Sequence, residues 1–126
     1  MSGPILVVDD DPIILDTVAD ALSLEGFAVL TATNGAEALE ALARDARPPQ
    51  LVLLDMRMPV LDGWGFMQAV RARGMRLSVV VMTAAEDARR WAREIGATGV
   101  LAKPFELDQL MAAVHRFRIT GGPESS

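Results

Sequence analysis

The chain contains no cysteine. That absence excludes a disulfide framework, a thiolate metal site and a thiol nucleophile. No apolar run approaches the ~20 residues that a membrane-spanning helix needs. The opening "MSGPILVV" has no basic region followed by a long apolar core, so a signal peptide is not expected. Positive charge is in the minority, with 12 Lys and Arg against 17 Asp and Glu and a formal net charge of −5. Such a balance argues against binding to nucleic acid or to an anionic membrane surface. Neither a G-x-G-x-x-G after the first apolar run nor a G-x-x-x-x-G-K-[ST] occurs, which removes dinucleotide and P-loop sites. No internal repeat and no second domain are visible. A cytoplasmic globular protein is the expectation.

What is present has a regular order. Half of the 126 residues are apolar and Gly and Pro are dispersed, as in an ordered domain with a core. Short apolar runs at 4–8, 27–32, 51–54, 77–82 and 99–102 alternate with helical patterns near 12–25, 35–45, 63–73, 86–95 and 106–118. The runs lack period-two alternation, as strands covered on both faces do. Asp11 before Pro12 reads as an N-cap and first helical residue. Ile14, Val18, Ala21 and Leu22 share one helical face, and Gly26 stands where a left-handed C-cap belongs. Asn34 caps a second helix with Ala38, Leu39 and Leu42 inward. Leu107, Leu110, Met111 and Val114 mark the buried side of the last. Asp62–Gly63 reads as a turn and helix entry. Residues 1–119 form one domain, and 120–126, within "TGGPESS", read as a frayed tail. Strict alternation of five strands and five helices predicts an α/β, doubly wound, five-stranded parallel sheet in a three-layer sandwich.

Ligands of such folds bind beyond the carboxyl ends of the strands, and the polar residues gather there. The first strand ends in Asp9 and Asp10, the third in Asp55, the fourth in Thr83 and the fifth in Lys103 before Pro104. With strand order 2-1-3-4-5, three carboxylates, a hydroxyl and an ammonium share one edge. Carboxylates that close need a cation, or one of them takes up a proton. Oxygen-only ligands on a rigid scaffold suit Mg²⁺. One carboxylate can then act as a nucleophile toward phosphorus, with the lysine and hydroxyl facing the phosphoryl oxygens.

The motifs "VVDD", "LLDMRMPVLDG", "VVMTA" and "LAKPF", in that order from Ile5 to about Phe117, resemble the receiver domains of two-component response regulators, the chemotaxis receiver among them. The resemblance implies a flavodoxin-like sandwich and assigns roles. Asp55 is the phosphoacceptor, taking a phosphoryl group from a histidine kinase or phosphotransfer protein. Asp10, Asp55 and the backbone carbonyl of Arg57 hold Mg²⁺ directly, and Asp9 acts through water. Thr83 and Lys103 contact phosphoryl oxygens, and Lys103–Pro104 is a cis peptide. The partner downstream is another protein whose identity the sequence does not give, without direct contact to nucleic acid or membrane. Catalysis is limited to self-phosphorylation and autodephosphorylation.

The pattern departs from the family on one surface. Val100 stands where many receivers carry Tyr or Phe, Ala113 where dimerising transcription-factor receivers have Arg, and the stretch from Thr83 to Gly96 is shorter than usual. Two other readings fit parts of the pattern. One is a pseudo-receiver that binds partners without phosphate. The other is an aspartyl-phosphate phosphohydrolase, which would want a cap insertion that this chain lacks. The remaining candidates read as plain structure. His115, beside Arg116, is an exposed helix residue, Trp64 and Trp91 are packing or partly exposed surface residues, and the arginines of "DARRWAR" form a solvated helix face.

Overall fold

Strand β1 (Ile5–Val8) offers water nothing polar, and all four of its residues are fully buried. In the computed structural model of the protein, which describes residues 3–45 and 47–119, this strand lies inside a five-stranded sheet. The neighbours are β2 (Val29–Ala32), β3 (Leu51–Asp55), β4 (Val79–Ala84) and β5 (Gly99–Lys103). The order is β2-β1-β3-β4-β5 and every pairing is parallel. A parallel sheet must be covered on both sides, and alternate residues of each strand serve the two sides. Ile5 and Val7 pack with Leu15, Val18 and Leu22 of α1 (Pro12–Leu24) and with Leu110 and Val114 of α5 (Leu107–Phe117). Leu6 and Val8 pack with Ala38 of α2 (Gly35–Arg44), Phe66 and Val70 of α3 (Gly63–Ala72), and Ile95 of α4 (Ala88–Ile95).

The caps form where side-chain chemistry places them. Asp11 accepts from the backbone N–H groups of Ile13 and Ile14, Asn34 from Glu37 and Asp62 from Gly65. Gly26 adopts φ +94° after α1, a conformation that favours glycine, and Phe27 N–H closes the turn on Leu22 O at 3.1 Å. Lys103–Pro104 is cis.

Several boundaries differ from the sequence reading. The second strand begins at Val29, after Phe27 has turned to pack on the α1/α5 side. The fourth runs over Val79–Ala84 because its register with β5 continues to the Ala84–Lys103 pair, while Ser78 below it donates to Phe117 O at 2.6 Å. A 3₁₀ turn, Ala85–Asp87, precedes α4. Leu107, expected on the buried side of the last helix, is 58% exposed. Periodicity assigns a residue to a helix face but not how far along the axis the packed layer extends, and Leu107 is the first residue of α5. Residues 120–126 lie outside the described residues. Among the described residues no helix is long and apolar enough to cross a membrane.

The α3 entry is packed against the end of β3. A Cβ at Gly63 would stand 2.6 Å from Met56 Sδ, 2.9 Å from Met56 Cα and 3.1 Å from Asp55 O. Two of those atoms are backbone, so relief requires moving the strand end or the helix. Gly63→Ala is therefore expected to cost about 2 kcal/mol, within the range for overpacking. Urea denaturation should show a lower midpoint with an unchanged slope.

Candidate functional site

Three consecutive carboxylates leave β1, and each meets different surroundings. Asp9 is fully buried; its Oδ1 accepts from Asp11 N–H at 2.9 Å and its Oδ2 from Lys103 Nζ at 2.8 Å. Asp10 is exposed. Asp11 is spent on the helix cap. The macrodipole of α1 favours negative charge at this end, which helps to hold the group together.

Asp55 closes β3 and is buried, with Lys103 Nζ 3.6 Å from its Oδ1. One lysine thus bridges two strand ends across the sheet, and oxygen atoms of Asp9, Asp10 and Asp55 lie within 4.8 Å of one another. Three carboxylates against one ammonium leave the cluster at −2 when all are ionised. The Asp55 carboxyl carries the consequence, with its pKa raised from 3.8 to about 6. Burial is the largest cause and the charge of Asp9 the next. Lys103 and a hydrogen bond from the Arg57 backbone oppose the rise, and Asp10 adds to it.

Thr83 is buried on β4, one place beyond the Asp55–Met82 pair and opposite Ala102, next to Lys103. Sheet register therefore carries it to the same end. Arg57 follows Met56 in the β3–α3 loop; its side chain is exposed and pairs with Asp87 at 3.5 Å. All six residues singled out from the sequence (Asp9, Asp10, Asp55, Arg57, Thr83 and Lys103) belong to one end of the sheet. His115 is exposed, with its ring 6.1 Å from Phe27.

Sequence reasoning missed two neighbours of the site. Asp87 was hidden in an arginine-rich run. A groove of about 370 Å³, lined by Ile13, Ile14, Lys103, Pro104 and Phe105 among others, opens beside the ammonium. Its sequence signal was the Ile13–Ile14 pair, since adjacent residues on a helix cannot both face the core, and Ile13 is 75% exposed.

The donor set is hard oxygen on a rigid scaffold, so it fits a small divalent cation better than a soft one. A cation would also relieve the repulsion that raises the Asp55 pKa. Among the described residues this is the group of acidic side chains able to surround an ion.

Comparison with known proteins gives the family and the fold. The family model of the response regulator receiver domain matches residues 5–115. The DNA-binding transcriptional regulator NtrC of Escherichia coli K12 is 40% identical over 116 residues, covering 90% of this chain and 24% of that protein. The transcriptional regulatory protein PrrA of Mycobacterium tuberculosis is 42% identical over 115 residues, covering 90% of this chain and 48% of that one. The chain thus spans between a quarter and a half of the length of these curated relatives. Among solved structures, the receiver domain of NtrX from Brucella abortus superposes with a TM-score of 0.79 at 35% identity, over 89% of this chain and 95% of that one. The chemotaxis response regulator CheY4 of Vibrio cholerae gives 0.80 at 30% identity, over 92% and 98%.

Two stability effects follow from the charges. Because the folded-state pKa of Asp55 is raised, the native protein holds a proton that the unfolded chain releases between pH 3.8 and about 6. Stability therefore falls as pH rises through that window, and the penalty is complete above it. Asp55→Asn should be more stable than wild type at pH 7.5 without divalent cation, by on the order of 1–2 kcal/mol, and the gain should shrink toward pH 4. Lys103→Ala leaves the buried Asp9 charge without its partner. It should lose about 2 kcal/mol at pH 7.5, below the range for fully buried pairs because the lysine is partly exposed. Urea denaturation across pH checks both.

Proposed function

The chain belongs to the response regulator receiver domains of two-component signalling systems, and on that premise we propose that it is a phosphoacceptor switch with Asp55 as the accepting residue. A carboxylate oxygen of Asp55 attacks the phosphorus of a phosphohistidine on a histidine kinase or phosphotransfer protein. The P–O bond forms as the P–N bond breaks, and the imidazole leaves with the bonding pair. A pKa of about 6 leaves Asp55 mostly ionised at neutral pH, as a carboxylate nucleophile must be.

The other groups supply charge and position. Lys103, already between Asp9 and Asp55, pairs with a phosphoryl oxygen after transfer, and the Thr83 hydroxyl donates to another. Mg²⁺ would fit this donor set; Asp10, Asp55 and the Arg57 carbonyl would hold it, and it would supply positive charge to the phosphoryl oxygens. Asp9 has both oxygens engaged, one by Asp11 N–H and one by Lys103, so it would act on the ion through water and not as a direct ligand. The apolar groove beside Lys103 offers the donor protein a surface next to the reacting atoms. Phosphorylation then changes binding to a downstream protein, and hydrolysis of the acyl phosphate resets the switch. The chain catalyses its own modification and no turnover of a separate substrate.

The observation that carries this reading is the convergence of Asp9, Asp10 and Asp55 within 4.8 Å around a lysine that reaches two of them. Incubation with acetyl phosphate, with and without Mg²⁺, should give a single phosphoryl adduct by intact mass. The adduct should require Mg²⁺ and be absent from Asp55→Asn. No adduct on wild type, with Mg²⁺ binding measured separately, would contradict the proposal and favour a phosphate-independent binding module.

A further inference from the structure

We propose that the open edge of β2 is a self-association site, where two copies of the chain pair β2 against β2, antiparallel across a two-fold axis, and join their five-stranded sheets into one. The inference goes beyond the receiver reading and does not depend on it, since β1 lies between this edge and Asp55 on β3.

Backbone geometry decides which polar groups meet that edge. A strand residue directs its N–H and C=O to the same side, and successive residues alternate. Ala28 O accepts from Ile5 N–H at 2.8 Å and Ala32 O from Asp9 N–H at 3.1 Å. Leu30 shares their parity and faces β1, so Val29 and Thr31 turn their polar groups to the open side. Among the described residues β2 pairs with β1 and with no other strand. Native sheets guard such an edge with charge, proline, a bulge or a covering element. The strand "VLTA" carries neither charge nor proline, and Thr31 is exposed. Its length of four residues limits the pairing to a few bonds and makes it reversible. A groove of about 480 Å³ opens beside it, lined by Val29, Leu30 and Thr31 and, at the end of α2, by Ala41, Arg44 and Asp45.

The edge is complementary to itself. With the axis at Leu30, Val29 of each copy stands opposite Thr31 of the other, and every such pair exchanges both of its N–H···O=C bonds. The two Leu30 residues then form the narrow pair between them, and their half-buried side chains, on the α2 side of the sheet, meet at the axis. Charge fits the same arrangement. Arg44 is exposed and takes part in none of the salt bridges among the described residues. Each copy brings Arg44 and Asp45 to the joined groove, one charge of each sign, so the seam is neutral and each arginine gains a carboxylate. A strand that was uniformly acidic or basic would not fit it as well as a second copy of this chain does.

Sedimentation equilibrium tests this at about 0.15 M salt, where screening cuts the reach of the net −5 charge on each copy to about 8 Å. The weight-average mass should rise from 13.5 kDa toward twice that value between about 10 μM and about 1 mM. Thr31→Pro removes an outward N–H at an edge position where proline is compatible with the sheet, and should stay monomeric. Arg44→Glu and Asp45→Arg each load the seam with one sign of charge and should raise the dissociation constant about tenfold or more. Circular dichroism shows that each variant is folded. Mixed in equal amounts, the Arg44→Glu and Asp45→Arg proteins should associate more tightly than either does alone, a rescue that misfolding would not give. Wild-type protein that stays at 13.5 kDa up to about 1 mM overturns the inference. Association that survives both Thr31→Pro and Arg44→Glu belongs to another face and overturns it too, as does a mixture that associates no better than its components.

Discussion

Charge crowding at the carboxyl ends of the strands is the constraint on which the site depends. Asp9, Asp10 and Asp55 approach within 4.8 Å because β1 and β3 are parallel neighbours in register, Val8 opposite Leu54. A sheet with those strands antiparallel would send the two sets of carboxylates to opposite ends. Lys103 answers part of the crowding from the far edge strand, reaching Asp9 at 2.8 Å and Asp55 at 3.6 Å. The remainder shows as a raised Asp55 pKa. The apolar sheet keeps the charged atoms fixed, so the repulsion is not relieved by drifting apart. A cation or a proton must relieve it.

The same rigidity extends to the helix that follows β3. The strand end cannot shift alone, because Gly63 packs on the Asp55–Met56 backbone without room for a methyl group. On the opposite face, α1 and α5 share a well-filled layer with Leu15, Val18, Leu22, Leu110 and Val114. The α2/α3 side is filled as well, by Ala38, Phe66, Met67 and Val70.

Much of this was legible in the sequence, for identifiable reasons. Strands buried on both faces are continuous apolar runs, so β1 and β3 were visible as "ILVV" and "LVLL". Caps are local chemistry, and Asp11, Asn34 and Asp62 all cap as read. Asp9, Asp10, Asp55, Thr83 and Lys103 stood out because they follow the ends of such runs, and Arg57 only through the family resemblance. Quantities set by tertiary packing were less legible. Leu107 has the right periodicity and still faces water, since period carries no information on depth. Strand β4 extends past its apolar run to Ala84 because pairing with β5 stabilises two further residues. The Arg57–Asp87 pair and the Trp64–Trp91 contact join residues roughly thirty positions apart, and no short-range pattern announces either.

The central claim is that carboxylate repulsion at a fixed site sets up the chemistry, and the ionisation of Asp55 tests it most directly. Carbon-13 NMR of the aspartate carboxyl groups, titrated with pH and assigned through Asp55→Asn, would measure it. The account predicts a midpoint near pH 6 without divalent cation and a clear fall of that midpoint in saturating Mg²⁺. An Asp55 that titrates in the ordinary carboxylate range, near 4, with or without Mg²⁺, would contradict it.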